Sequence, residues 1–265
     1  MTMNALSFIT LGDGTRLAYR FDGQADKPVL MLSNSIGTTM AMWDQQIASL
    51  SENFYILRYD ARGHGASDAP AGAYSLDRLG RDVVELLDAL HLDRVHFLGL
   101  SLGGFVGQWL GIYAGQRLKN LILANTSGYL GPSPQWDERI RQLQIAPDMA
   151  AVAEGFLGSW FSAEFMKQAP ETVEIFRAML MTTPPQGLAG SFAAVRDADL
   201  RRTAALINLP VLIIAGQYDT VTALSHSEAL AALLPQAQLK VLPVVHLSNI
   251  ERPSEFVQWV SEFLR

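Results

Sequence analysis

From residue 28 to residue 125, short unbroken apolar runs alternate with longer stretches in which apolar positions recur every three and four residues. Unbroken runs suit strands buried on both faces of a parallel sheet, and the three-and-four spacing suits helices with one covered face, so the alternation predicts βα units. Residues 29–33, 55–59, 95–100 and 120–124 are the expected strands, and 42–50, 76–90 and 102–114 the expected helices. The second helix has the clearest face, formed by Leu76, Leu79, Val83, Leu86, Leu87 and Leu90. Ahead of these units, residues 5–10 and 16–22 flank Asp13-Gly14, a hairpin turn signal, and are expected to be antiparallel edge strands.

The alternation resumes after residue 205, with strands at 211–215 and 238–242 and helices at about 225–234 and 253–263, the last with proline in its first turn. Between the two halves, residues 127–203 show no strand-like run and carry Pro132, Pro134, Pro147, Pro170, Pro184 and Pro185 as helix punctuation. The expected fold is therefore α/β: a mostly parallel eight-stranded sheet with helices on both faces. Residues 1–126 and 204–265 form its core, and residues 127–203 a helical cap inserted after strand six.

Composition narrows the function classes. Apolar residues make up 49% of the 265 and charged residues 17%, ample for a large core. The net charge of −6, with no Lys/Arg-rich run, argues against nucleic acid as a partner. The absence of cysteine removes disulfides, thiolate zinc sites and a cysteine nucleophile together. Residues 1–10 lack a secretory leader's pattern and no segment has the length of apolar chain a membrane span needs, so a cytoplasmic protein without a membrane partner is expected.

Gly99-Leu100-Ser101-Leu102-Gly103 lies between an expected strand and an expected helix, the setting a G-x-S-x-G nucleophile elbow requires. A serine hydroxyl needs a base. Among the histidines, His91 falls at the wrong edge of the sheet, His96 inside a strand, and His226 at a helix start where a surface role is expected. His64, in Asp60-Ala61-Arg62-Gly63-His64-Gly65, is a rival at the correct edge, though its glycine-rich turn points to structural ordering. His246 follows the last strand and is the expected base. Asp219, one strand earlier, is the expected acid, which keeps the chain order Ser, Asp, His. An Asx turn or helix cap is the competing reading of Asp219. Backbone N–H groups of Leu102 and, from the loop after the third strand, Ile36 are the expected oxyanion donors.

These motifs resemble the α/β-hydrolases and, within them, the 3-oxoadipate enol-lactonases of aromatic catabolism. The resemblance runs through Ser33-Asn34-Ser35-Ile36-Gly37-Thr38, residues 58–65, 99–104 and 117–126, Trp160-Phe161, residues 196–200 and residues 246–251. It departs at residues 220–224 and at Val244-Val245. The resemblance implies a small-molecule substrate, an enol-lactone bearing an acetate arm, opened to 3-oxoadipate through an acyl-enzyme with no cofactor and no metal. Arg139 and Arg196 are candidates for the substrate carboxylate, and Ser35, Trp136 and Trp160 for the pocket wall. The alternatives are a carboxylesterase, a C–C bond hydrolase of ring-cleavage products, or a ligand receptor on the same scaffold.

Overall fold

Every residue of the 95–100 run is buried, and alternate side chains serve opposite faces of the sheet. Phe97 joins a cluster with Met31, Leu57, Leu121 and Ile213, while Leu98 and Leu100 join a second with Leu30, Leu32, Ile122 and Ile214. Strands covered on both sides read as unbroken apolar runs for this reason.

The computed structural model describes residues 5–146 and 148–265, so Pro147 lies outside the described residues. Eight strands form one sheet: β1 (Ser7–Thr10), β2 (Arg16–Asp22), β3 (Val29–Ser33), β4 (Tyr55–Tyr59), β5 (Val95–Leu100), β6 (Leu118–Ala124), β7 (Val211–Gly216) and β8 (Gln238–Leu242). Their order is β1-β2-β4-β3-β5-β6-β7-β8. The first two pairings in that order, β1 with β2 and β2 with β4, are antiparallel, and the rest are parallel.

Expected limits hold for most strands; β6 begins two residues earlier, at Leu118, because it also pairs with Val95 across an irregularity in register. The expected helix at 42–50 divides into a 3₁₀ turn, Met40–Trp43, and α1 (Asp44–Leu50). Thr39 caps that turn by accepting the Ala41 N–H, so the chain starts to coil before the apolar pattern begins.

On one face lie α2 (Leu76–Ala89), which presents the predicted apolar stripe, and α3 (Leu102–Tyr113). After β6 come five helices: α4 (Ser133–Ile145), α5 (Ala150–Trp160), α6 (Ala163–Gln168), α7 (Pro170–Thr182) and α8 (Pro185–Asp197). Proline stands in the first turn of α4, α7 and α8, where its missing N–H has no partner to lose. No main-sheet strand occurs in this stretch among the described residues; Tyr129 and Asp199 form one isolated bridge at its base. Then follow α9 (Leu224–Leu233) on the α2 face and α10 (Ser248–Glu251) and α11 (Pro253–Leu264) with α1 on the other. No helix among the described residues is long and apolar enough to cross a membrane.

Candidate active site

Ser101 sits between β5 and α3 with φ 58° and ψ −113°, a backbone conformation that side-chain-bearing residues avoid. Its N–H donates to Ala124 O at 2.9 Å, and its carbonyl accepts Thr126 Oγ1 at 2.8 Å, so β6 and the loop after it hold the turn. The turn is too tight for flanking side chains. A Cβ on Gly99 would lie 2.0 Å from Gly103 O, and one on Gly103 would lie 2.3 Å from Ser33 O. Glycine spacing in the motif therefore follows from backbone contact at both sides of the serine.

The β7 and β8 loops are joined by backbone bonds from Gln217 N–H to Leu242 O and from Tyr218 N–H to Val244 O. They bring His246 Nδ1 within 2.8 Å of Asp219 Oδ2, both side chains buried. A carboxylate only accepts, so Nδ1 carries the proton and Nε2 is left with its lone pair. Asp219 is also the turn cap of the competing reading: its Oδ1 accepts the N–H groups of Val221 and Thr222 at 2.8 and 2.9 Å. One carboxylate serves both purposes through different oxygens. Burial by itself raises the Asp219 carboxyl. The His246 charge and hydrogen bond, the Thr222 N–H and the Asn125 amide outweigh it and hold the group below the ordinary carboxylate value.

The supporting residues escaped sequence reasoning. Asn125, at φ 43°, donates to Asp219 Oδ2 at 3.1 Å and accepts from Ser248 Oγ; Thr222 Oγ1 donates to the same carboxylate oxygen at 2.7 Å. Asn125 lies within residues 117–126, yet nothing local shows that it reaches a residue 94 positions away.

Across the elbow, the loop after β3 is stapled to its neighbours. Asn34 donates to Tyr59 O and accepts from Trp43 Nε1, each at 2.9 Å, while Gly103 N–H donates to Asn34 O at 3.0 Å. Ile36 and Leu102 both border the cavity that Ser101 and His246 line, which has a volume of about 880 Å³. His64 does not line this cavity: it is buried, with Nε2 taken by Gly37 N–H and Nδ1 near Arg62 O.

The cavity wall is mainly apolar, with Phe105, Leu143, Phe156, Phe192 and Val195 among its residues. Trp136 and Trp160 line it as expected, and Arg139 does too, its guanidinium 4.9 Å over the Trp136 ring. Arg139 is the lining residue with a permanent charge, and no aspartate or glutamate lines the cavity among the described residues. Two expected lining residues are elsewhere. Arg196 is committed to Asp137 and Asp197, at 2.8 and 2.7 Å, outside the cavity. Ser35 is buried and does not line the cavity, its N–H directed to Met42 Sδ at 3.3 Å. Conversely His226, expected at the surface, lines the cavity from the first turn of α9, together with Thr220 and Val221. No group of three or more His, Asp or Glu side chains able to hold a metal ion occurs among the described residues.

Known proteins share this arrangement of chain. A family model described as the alpha/beta hydrolase fold matches residues 28–253. The chain is 39% identical over 240 residues to 3-oxoadipate enol-lactonase 2 of Acinetobacter baylyi, covering 91% of this chain and 90% of that protein. A crystal structure of a hydrolase from Pseudomonas aeruginosa superposes with a TM-score of 0.97 and 59% identity over 98% of both chains. The enol-lactonase from Burkholderia xenovorans superposes with a TM-score of 0.95 and 36% identity over 97% of this chain and 99% of that one. With a family match over most of its length, and with a strained serine elbow and a histidine paired to a buried aspartate lining one cavity, this chain belongs to the α/β-hydrolase family and is a hydrolase.

Proposed function

We propose that the protein opens an enol-lactone bearing a free carboxylate, the class of 3-oxoadipate enol-lactone, through an acyl-enzyme on Ser101. The observation that carries this reading is the content of one cavity: Ser101, His246 backed by Asp219, and Arg139, with no carboxylate among the described lining residues to neutralise it. The 39% identity to an enol-lactonase supports the substrate class.

In this mechanism Ser101 Oγ attacks the lactone carbonyl carbon while His246 Nε2 takes its proton. The oxyanion rests on the N–H groups of Ile36 and Leu102, in a site where each donor contributes about 10²–10³ in rate. Collapse breaks the ring C–O bond; the enol oxygen leaves with the proton from His246, and the enol tautomerises to the ketone. Water then attacks the acyl carbon, giving its proton to His246, and Ser101 departs with that proton to release the 3-oxo dicarboxylate. Asp219 keeps the Nδ1 proton in place and stabilises the imidazolium without taking a proton itself. Arg139 pairs with the free carboxylate, a charge-assisted contact in a mostly apolar wall. Residues 127–203 act as the cap, since α4, α5 and α8 supply Trp136, Arg139, Phe156, Trp160 and Phe192 to the wall.

The cavity, at about 880 Å³, is roomy for a six-carbon lactone, which keeps larger esters as a second reading. One assay separates them: the purified protein with 3-oxoadipate enol-lactone, followed by loss of lactone absorbance, beside a panel of neutral esters. Rapid loss with the lactone, absent in Ser101→Ala, is the expected result. Turnover of neutral esters alone would assign a general carboxylesterase, and tight retention of lactone without product would assign a receptor.

A further inference from the structure

We infer that His64 is a positioning residue for the oxyanion site: its neutral imidazole holds the Gly37 N–H and thereby sets the direction of the neighbouring Ile36 N–H. The inference rests on the reading of Ile36 as an oxyanion donor and adds a residue to that machinery that touches neither substrate nor nucleophile.

The ring's tautomer follows from its partners. Arg62 O, 3.2 Å from Nδ1, can only accept, so Nδ1 carries the hydrogen; Nε2 is then the bare nitrogen, and it accepts the Gly37 N–H at 2.9 Å. The anchor for this ring is rigid. Arg62 is fixed by two bonds to Asp82 at 2.6 Å and one to Asp13 at 2.8 Å, and Asp60 ties both loops together by accepting Met40 N–H at 2.7 Å and Ala66 N–H at 2.9 Å.

Ile36 lies between two peptide planes, and each is pinned by a different residue. On its N-terminal side, Ser35 O accepts Thr38 Oγ1 at 2.7 Å and Thr38 N–H at 3.3 Å. In a trans peptide the N–H points opposite to the C=O, so the Ile36 N–H is turned away from Thr38. On its C-terminal side the Ile36–Gly37 plane is held by His64. With both planes set, the Ile36 N–H has little freedom to leave its direction, which is the preorganisation an oxyanion donor needs. Without an acceptor at His64, the buried Gly37 N–H has no partner and its plane is free to turn in search of one. An imidazole suits the position because it joins an acceptor and an anchoring donor in one rigid ring, and burial keeps it neutral.

The test uses His64→Leu, which fills the space but offers no acceptor, and His64→Gln, whose Oε1 reaches about as far as Nε2. Turnover of 3-oxoadipate enol-lactone and p-nitrophenyl acetate is measured with inhibition by phenylboronic acid and by adipate. Phenylboronic acid forms a tetrahedral adduct on the serine and needs the oxyanion donors, whereas adipate binds as a ground-state anion. The expected result is a kcat lowered about 10- to 100-fold in His64→Leu, the scale of an ångström-size misplacement. KM and adipate inhibition should stay within about twofold, and the phenylboronic acid inhibition constant should rise in step with the loss of kcat. His64→Gln should recover most of both. A folded His64→Leu with unchanged kcat and boronate inhibition overturns the inference, as does a His64→Gln no better than His64→Leu. If His64→Leu does not fold, a folded His64→Gln decides alone: kcat within about tenfold of the parent supports the inference, and a larger loss overturns it. An unmodified protein inactive on every ester would sink the hydrolytic reading, which is a different outcome.

Discussion

Asp219 accepts from five donors, the N–H groups of Val221 and Thr222, Thr222 Oγ1, Asn125 Nδ2 and His246 Nδ1. An amide at this position would confront some of these donors with its own NH₂ group. Asp219→Asn is therefore expected to lower kcat by roughly 10³–10⁴ with little change in KM, the imidazole being left in the wrong tautomer. Ser101→Ala and His246→Ala should each remove nearly all activity, and the double variant no more than either, because the two act as one unit; single-turnover kinetics would read all three. His64 has a second consequence, in stability. Burial, partly opposed by the Arg62 carbonyl, lowers its pKa from 6.5 to about 4, so below pH 6.5 the unfolded chain takes up a proton that the folded ring refuses. Its contribution is complete above pH 6.5 and is lost as pH falls toward 4, up to about 3 kcal/mol. His96 is shifted in the same direction, so the measurement is the difference between parent and His64→Gln in denaturant unfolding at pH 7 and pH 4.5. The parent should lose more stability than the variant; equal losses would remove His64 as the source.

At the scale of elements, the β5–α3 junction and the α4–α8 pair do different work. The junction has no room. Gly103→Ala would drive a methyl group to 2.3 Å from Ser33 O, and is expected to cost about 3 kcal/mol or more, read as a lowered denaturation midpoint. In the insertion the two arginines separate by their partners. Arg139 faces the cavity with a tryptophan ring beneath it, while Arg196 is spent on Asp137 and Asp197. Arg139→Met should raise KM for the carboxylate-bearing lactone about tenfold or more and leave neutral esters within about twofold. Arg196→Ala should leave both within about twofold. Michaelis curves with an anionic and a neutral substrate check the pair, and a common rise on both substrates would remove Arg139 from anion recognition.

For the whole molecule, the helices between β6 and β7 are bonded to the loop that carries His246. Trp160 O, at the end of α5, accepts the N–H groups of His246 and Leu247, each at 3.2 Å. Next to it, Glu251 accepts Ser162 N–H at 2.8 Å and Ser162 Oγ at 3.3 Å. A change in how α5 and α6 sit must therefore reach His246 through its own backbone. Glu251→Ala, which takes the acceptor from the half-buried Ser162 N–H, should cost about 1 kcal/mol. Hydrogen exchange should quicken at the amides of residues 160–166 and 246–252 together. Exchange that quickens in the first segment only would mean that the two move independently.

How much of this was legible beforehand depended on how far apart in the chain the deciding partners lie. β3, β4 and β5 and the elbow between β5 and α3 were readable because burial on both faces, turn geometry and glycine crowding act over a few consecutive residues. That Ser101, Asp219 and His246 come to one edge of the sheet was readable because parallel strands send all their following loops to the same edge. Side-chain pairing between distant segments was not. Arg139 and Arg196 look alike until Asp137, 59 residues from Arg196, neutralises the second and not the first. Ser35 stands in the right loop but is buried and does not line the cavity, whereas His226, in the first turn of α9, does. His64 could be placed at the correct edge from its motif, but that its ring accepts from Gly37, 27 residues earlier, depends on two loops packed against each other. The chain by itself determined which residues could do chemistry and to which edge of the sheet they come; tertiary packing alone decided which of them are neutralised, buried or left facing the cavity, because a charge or a lone pair is spent by whichever partner folding brings within about 3 Å.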